Sequence, residues 1–258
     1  MNKREIAFIG SGNVAWHLAR AMDRAGHTVS QIISRKEEHA FELARQFGAY
    51  YGTDLSRVYD TVDLCLICVG DDDLESVVTS MPPIQAVVAH TCGPKAMNVL
   101  GVKFRQYGVF YPLQSFSKLR PVDMLQVPIM LEASSNAAYS VMRDVADAIS
   151  NKVSDVSSND RLKYHLAAVF ANNFVNHLYH TSERYLQENQ LNFDYLRPII
   201  EETAMKIKSL DPADAQTGPA RRGDDHTIER HLKMLQDDPD LRQLYQLFSD
   251  RITKQFNG

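Results

Sequence analysis

The stretch Ile6-Ala7-Phe8-Ile9-Gly10-Ser11-Gly12-Asn13-Val14-Ala15 decides the fold of this 258-residue chain. Four apolar residues typical of a buried strand lead into the spacing G-x-G-x-x-A, and a helical pattern follows. Gly10 permits a tight turn, Gly12 lets the backbone approach a pyrophosphate, and Ala15 allows close packing of helix on strand. The helix also presents N–H groups and its positive dipole end to phosphates. We therefore predict a dinucleotide site, with cofactor contacts from Gly10, Ser11, Gly12, Asn13 and Val14.

Short apolar runs and amphipathic helical patterns continue to alternate as far as residue 156. The runs predict strands at 6–9, 29–33, 64–69, 86–89, 109–110 and 129–131. The patterns between them predict helices at 13–25, 36–47, 73–80 and 136–150. Near-continuous apolar strands that alternate with helices are typical of a parallel sheet covered on both faces. The predicted fold class is α/β, with a Rossmann-type, doubly wound, mostly parallel sheet.

The pattern changes after Val156, and no further strand is predicted. Ser157-Ser158-Asn159-Asp160 is suited to the start of a helix, with Ser157 or Ser158 as its N-cap. Helical patterns then cover 159–189, 194–209 and 226–256. We predict two domains: a nucleotide-binding Rossmann domain at 1–156 and an all-α domain at 157–258.

The end of the second predicted strand indicates which dinucleotide binds. NAD-binding Rossmann folds place a carboxylate there for the ribose 2′-OH, but this chain has Ile33-Ser34-Arg35-Lys36. A hydroxyl and two cations suit a 2′-phosphate, which arginine can meet with two charge-assisted hydrogen bonds. We therefore predict NADP(H) as the cofactor, with Ser34, Arg35 and Lys36 in contact with it. Alternatively, Arg35 and Lys36 are solvated residues at the start of a helix.

Two further loops follow strands that should end at the same edge of the sheet. Val69, Gly70 and Asp71 follow the third strand and are predicted to contact the cofactor; alternatively, Asp71 caps the next helix. His90 ends the fourth strand, so its loop is expected near the nicotinamide.

Composition excludes several classes of protein. Lys and Arg total 28 and Asp and Glu total 32, and the net charge of −4 argues against a nucleic-acid binder. The longest apolar runs, such as 64–69, are far shorter than the roughly 20 residues of a membrane span. No signal peptide is visible, three cysteines make no disulfide framework, and a cytoplasmic location is expected. Cys65 and Cys68 point to opposite faces of a strand, so they are predicted core residues, and no metal site is expected.

The helical half contains one mostly apolar helical segment that also carries several polar side chains. At about 100° per residue, His165, Val169, Asn172 and Asn176 share one stripe. Buried amides and imidazoles need hydrogen-bond partners, which a ligand or active-site water would supply. The alternative is a polar network between helices.

Three longer motifs accompany the glycine turn: Y-P-L-Q-S-F-S at Tyr111–Ser117, L-A-A-V-F-A-N-N-F at Leu166–Phe174, and A-Q-T-G-P-A-R-R-G-D at Ala215–Asp224. With these motifs the chain resembles the pyrroline-5-carboxylate reductases and the β-hydroxyacid dehydrogenase superfamily. It is most similar to a branch of NADP oxidoreductases, some of which are named deazaflavin-dependent. The resemblance covers essentially the whole chain.

The resemblance implies a helical second domain like that of 6-phosphogluconate dehydrogenase, NADP(H) as cofactor, and a homodimer formed through the helical domain. β-Hydroxyacid dehydrogenases carry K-x-x-N-N on this helix, with the lysine as general acid and base. Here Val169 stands in place of that lysine, whereas Asn172 and Asn173 match. Proton transfer must therefore use another group, such as His165, His90 or water.

Together these features predict an NADPH-dependent oxidoreductase that transfers hydride to or from a small carbonyl, imine or deazaflavin-type substrate bound between the domains. His165 is the predicted proton donor, and Asn172 and Asn176 would orient the substrate. A non-catalytic NADPH-binding sensor or scaffold is the main alternative, which the missing lysine favours and the polar stripe opposes. A methyltransferase is a third, and the missing acidic residue after the second strand counts against it.

Overall fold

The computed structural model describes residues 2–257, and its centre is an eight-stranded sheet. In chain order the strands are β1 Glu5–Ile9, β2 Thr28–Ile33, β3 Tyr50–Gly52, β4 Leu64–Ile67, β5 Val87–His90, β6 Tyr107–Pro112, β7 Ile129–Ala133 and β8 Val153–Asp155. They lie side by side in the order β3-β2-β1-β4-β5-β6-β7-β8. Only the β6/β7 pair is antiparallel.

The strand order reverses direction between β1 and β4, which are neighbours in the sheet. In doubly wound folds the carboxyl ends of strands at such a switch point form the ligand crevice. The chain leaves β1 at Gly10 and leaves β4 at Cys68. The topology therefore places the glycine turn and the loop after β4 together at the predicted cofactor edge, and it confirms the predicted Rossmann-type sheet.

The helices are α1 Asn13–Arg24, α2 Glu37–Ala44, α3 Leu74–Ser80, α4 Asn136–Ile149, α5 Ser158–Ala168, α6 Val175–Glu188, α7 Arg197–Lys206, α8 Pro212–Ala215, α9 Pro219–Arg222, α10 Asp225–Met234 and α11 Pro239–Asn257. A π-helical segment, Val169–Phe174, lies between α5 and α6. Short 3₁₀ helices occupy Leu55–Arg57, Met97–Val99, Met124–Gln126 and Phe193–Leu196. No helix within residues 2–257 is long and apolar enough to span a membrane.

The chain divides into two compact units, one ending at His177 and the other beginning at Leu178. The first contains the whole sheet together with α5 and the π-helical segment. The second contains only helices among its described residues. The predicted domain boundary after residue 156 coincides with the end of the sheet at Asp155 and remains a prediction.

The sheet is buried on both faces because its central strands are almost entirely apolar. In β1, Ile6 and Phe8 enter the core on one face, and Ala7 and Ile9 enter the core on the other. Gly10 then turns the chain with a φ of 105°, and a Cβ there would lie 2.2 Å from the Cys68 carbonyl oxygen. Glycine is required for both reasons.

Most predicted elements are present. Three differences from the prediction are informative: the strands β3 and β8 and the π-helical segment. β3 and β8 have no counterpart in the prediction, because each is three residues long and lacks a fully buried position. Ser157 is the N-cap of α5, and its hydroxyl accepts a hydrogen bond from the Asp160 N–H.

The third difference is the π-helical segment, which corrects the polar stripe. An i→i+5 turn advances about 87° per residue instead of about 100°. Through Val169–Phe174, Asn173 therefore shares the face of Val169. Asn172 and Asn176 share a face with each other, about a quarter turn away from Val169. The α-helical spacing assumed from the sequence was wrong here.

Candidate cofactor cleft and active site

A cavity of about 780 Å³ lies at the carboxyl edge of the sheet, where β1, β2 and β4 end. It brings together nine of the twelve residues predicted to contact the cofactor: Gly10, Ser11, Gly12, Asn13, Ser34, Arg35, Lys36, Val69 and Gly70. Gly12 is the N-cap of α1, and no side chain caps this helix. A Cβ at Gly12 would meet nothing within 4 Å. The first-turn N–H groups of α1 are thus left to an anionic ligand.

Hydroxyl groups and positively charged side chains line the part of the cavity beside β2. Ser11 Oγ donates to Ser34 Oγ over 2.8 Å, which ties the glycine turn to the residue that follows β2. The Arg35 side chain is 85% exposed, and its nearest carboxylate, that of Asp73, is 3.9 Å away. At that distance in solvent the ion pair is weak. The guanidinium is therefore available to a phosphate, which fits NADP(H) better than NAD(H).

Three predicted cofactor residues do not line the cavity. Val14 is partly buried against the core, and Asp71 lies outside the lining. His90 is completely buried, and its Nδ1 accepts a hydrogen bond from the Cys92 N–H over 3.2 Å. Burial, with the positive charge of Arg161, lowers the pKa of His90 to about 4. His90 is therefore neutral near pH 7, which makes it a poor proton donor.

Ten further residues line the cavity without having been predicted as cofactor contacts: Ile9, Ile33, His39, Thr53, Leu55, Cys68, Asp73, Ser76, Val77 and Lys118. His39 lies three residues after Lys36, so helical spacing could have identified it. Thr53 and Leu55 follow β3, which was not predicted. Lys118 comes from the loop between β6 and β7, where no local pattern indicates a cofactor contact.

His165 lies over the loop that follows β5 and is paired with a buried tyrosine. Its Nδ1 is 3.2 Å from the hydroxyl of Tyr111, which belongs to β6. Gly93 passes directly beside the pair, since a Cβ there would be 2.5 Å from His165 Nδ1 and 3.1 Å from Tyr111 Cε2. The fold thus brings a sequence-predicted residue, His165, to the sheet edge and holds it with a residue whose role the sequence did not reveal, Tyr111.

Arg161 fixes the helix that carries His165. Its side chain is 1% exposed and donates to Glu132 Oε2 at 2.6 Å, to the Gly93 carbonyl at 3.2 Å, to the Lys95 carbonyl at 2.5 Å and to Ser158 Oγ at 3.1 Å. Burial alone would raise the pKa of Glu132, but hydrogen bonds from Ser158 and Arg161 outweigh it and lower that pKa. The loop, β7 and α5 are therefore clamped together.

The carboxylate of Asp71 affects the pKa values of Tyr111 and Cys92 at this corner of the sheet edge. Burial raises the pKa of the Tyr111 phenol, and the negative charge of Asp71 raises it further. The same two causes raise the pKa of Cys92, whose thiol is therefore protonated at neutral pH. Both nearby cations are already paired, Arg161 with Glu132 and Lys95 with Glu75 at 3.0 Å. Arg161 opposes the effect of Asp71 on Tyr111, and Lys95 opposes it on Cys92, but the effect of Asp71 is the larger in each case.

The two predicted asparagines of the helical half differ in their surroundings from the sequence-based expectation. Asn172 and Asn176 are exposed, so they are not buried amides. Leu166, Phe170 and Phe174 of the same stretch are 58%, 60% and 48% exposed. Cys65 and Cys68 are buried, and burial raises the pKa of each to about 12, so they are core residues as predicted. Within residues 2–257 no group of three or more His, Cys, Asp or Glu side chains is arranged to hold a metal ion.

Comparison with known families gives two matches. Residues 5–90 match the family described as "NADP oxidoreductase coenzyme F420-dependent". Residues 127–252 match one described as a "domain of unknown function (DUF2520)". Among curated proteins, none matches the chain.

Solved structures are similar over nearly the whole chain. A "putative NADP oxidoreductase" from Bacteroides fragilis is 41% identical, with a TM-score of 0.89 and 98% of each chain covered. A pyrroline-5-carboxylate reductase from Streptococcus pyogenes is 16% identical, with a TM-score of 0.67 over 98% of this chain and 100% of that one. A reductive aminase from Aspergillus terreus, in complex with NADPH, is 12% identical with a TM-score of 0.74, over 98% of this chain and 95% of that one. The latter two share the fold.

Proposed function

Since the chain belongs to the NADP oxidoreductase family that the Bacteroides fragilis protein represents, we propose that it reduces a small imine with NADPH, using His165 as the proton donor. The protein is an NADP-dependent oxidoreductase. A carbonyl compound and a deazaflavin-type acceptor are the other substrates that the sequence leaves open. The observation that carries the proposal is the His165–Tyr111 pair beside Gly93 at the cofactor edge of the sheet.

The cavity residues suit NADPH, which supplies the hydride when bound. The glycine turn and the open N-terminus of α1 would hold its phosphates. Ser34, Arg35 and Lys36 would hold the 2′-phosphate. Val69 and Gly70 line the same cavity and would contact the ribose. These residues bind and orient the cofactor, and they take no part in proton transfer.

His165 would donate a proton to the substrate nitrogen from Nε2. Tyr111 occupies Nδ1, so the hydrogen bond fixes the ring orientation and leaves Nε2 to face a ligand. Histidine is the side chain that most often serves as a general acid in enzymes. Asn172 and Asn176 share one exposed helix face and would orient a polar group of the substrate, bound between the two predicted domains.

The charge of the site favours an imine over a keto acid. Asp71 contributes a negative charge beside Tyr111 and Cys92 that outweighs the opposing effects of Arg161 and Lys95, each of which is also paired with a glutamate. A protonated imine is a cation and gains from this field, whereas a carboxylate-bearing substrate is repelled by it.

We also propose that the protein is a cytoplasmic homodimer, with the dimer formed through the predicted helical domain at 157–258. Leu166, Phe170 and Phe174 support this, because large apolar side chains on one exposed stretch are typical of an interface. Analytical ultracentrifugation tests the dimer: a monomer at micromolar concentration contradicts it.

The test of function is NADPH oxidation by the purified protein with cyclic imines, matched neutral ketones, keto acids and a deazaflavin. Turnover of cyclic imines, strongly reduced in His165→Ala, is the expected result. Turnover of keto acids but not imines contradicts the charge argument. NADPH binding without turnover of any acceptor supports the alternative, a sensor or scaffold. A thermal shift with S-adenosylmethionine and none with NADPH supports a methyltransferase.

A further inference from the structure

Lys118 lines the cofactor cavity although it is remote in sequence from every other lining residue. It lies in the loop that joins β6 to β7, at a two-residue turn bounded by an isolated bridge between Ser117 and Arg120. Its side chain is exposed and forms no ion pair with any carboxylate of residues 2–257. An unpaired ammonium at the rim of a cavity shaped for a dinucleotide suggests a role with the ligand.

A buried histidine of α1 holds this turn in place. His17 is 4% exposed, and its Nε2 donates to the Ser117 carbonyl over 3.0 Å. A carbonyl oxygen only accepts, so the proton of this bond must come from the imidazole. The same carbonyl accepts from the Arg120 N–H over 3.1 Å. The Phe116 ring packs on His17 with centroids 4.8 Å apart. The backbone on the N-terminal side of Lys118 is thereby tied to α1.

His17 lies on α1, the helix that follows the glycine turn of the cavity. His17 follows Asn13 by one helical turn, so the two share a face of α1, and Asn13 lines the cavity. Arg35 and Lys36 reach the cavity from a different element, the end of β2. The loop therefore brings Lys118 to the side where a pyrophosphate meets the N-terminus of α1.

We propose that Lys118 binds the pyrophosphate of the dinucleotide and that His17 is the positioning residue that delivers it through the Ser117 backbone. The ammonium adds a mobile point charge to the N–H groups of the helix, which donate from fixed positions. Its contribution is common to NADPH and NADH, because both contain the pyrophosphate. Arg35 would instead act only on the 2′-phosphate.

Calorimetric titration of the full-length protein with NADPH and with NADH tests the assignment without any substrate. We expect Lys118→Ala to weaken both cofactors by about 5–20-fold, the range of an exposed charge-assisted hydrogen bond to phosphate. Arg35→Ala should weaken NADPH alone. Lys152→Ala, which removes an exposed lysine outside the cavity, should change either dissociation constant less than about twofold.

The role of His17 is tested by two substitutions that differ in one donor. His17→Gln keeps an N–H near the position of Nε2 and should retain binding, whereas His17→Phe keeps the ring and should weaken both cofactors. Combining His17→Phe with Lys118→Ala should add little to either change alone, because both remove the same contact. Melting temperatures show whether each variant is folded. If His17→Phe does not fold, Lys118→Ala still decides the assignment.

Two results would overturn the proposal. If Lys118→Ala leaves both dissociation constants within twofold, the lysine is a solvated surface residue. If it weakens NADPH but not NADH, the lysine contacts the 2′-phosphate and the pyrophosphate assignment is wrong.

Discussion

Replacement of Arg161 by methionine tests whether the clamp around His165 is a principal stabiliser of the first unit. The guanidinium is 1% exposed and makes four hydrogen bonds, one of them to the Glu132 carboxylate, whose side chain is 21% exposed. Methionine fills similar volume but leaves that carboxylate and two backbone carbonyls without their partner. Breaking a buried ion pair by removing one member costs about 3–5 kcal/mol. We expect a loss near the lower end because Glu132 remains partly solvated.

Chemical denaturation of matched variants measures this loss. Arg143 forms an exposed ion pair with Asp147, four residues on, so Arg143→Met is the control and should cost about 0.3–0.5 kcal/mol. The double variant Arg161→Met with Glu132→Gln removes both charges, so it should be more stable than Arg161→Met alone by about 1–2 kcal/mol. An Arg161→Met loss below about 1 kcal/mol, or a double variant no more stable than the single one, would refute the reasoning.

Three further outcomes are expected. Arg35→Ala should lower the preference for NADPH over NADH by about 10–100-fold in titrations, since we propose that the guanidinium binds only the 2′-phosphate; an unchanged ratio would contradict this. Tyr111→Phe should lower the kcat of the proposed reaction by about tenfold and alter its pH profile while NADPH binding stays within twofold, because only the Nδ1 partner of His165 is lost; an unchanged pH profile would count against the pair. The pKa of Glu132 is lowered in the folded state, so ionised Glu132 stabilises the fold above its unfolded pKa near 4.5, and this stabilisation is lost as pH falls through the folded pKa. Glu132→Gln should therefore lower the free energy of unfolding at pH 7 but much less at pH 3. An equal loss at both pH values would be evidence against ionic pairing.

The sheet could be predicted from the sequence because its information is local. Every residue of β4 and every residue of β1 after Glu5 is apolar, and the glycine turn follows directly from the end of β1. β3 and β8 escaped prediction because three-residue edge strands have too few buried positions to form a pattern.

The cofactor cavity was predicted in part for a similar reason. Gly10, Ser34 and Val69 each follow a strand whose position the sequence indicates, and topology brings the ends of those strands together. Lys118 and Tyr111 could not be found in this way. Lys118 reaches the cavity from a loop whose Ser117 is held by a histidine 100 positions earlier in the chain. Tyr111 meets His165 across 54 positions. Such contacts leave no periodic signal in the chain.

The π-helical segment Val169–Phe174 has a consequence for how this helix changes through insertion and deletion. A π turn holds about one residue more than an α turn. Deleting one residue such as Ala171 would therefore let the helix close to uniform α geometry and rotate everything beyond it, including Asn176, by about a quarter turn. A single-codon deletion could thus change which amides share the face of Val169 while leaving every remaining side chain the same. Relatives that differ by one residue in this stretch would present different chemistry from nearly identical sequences.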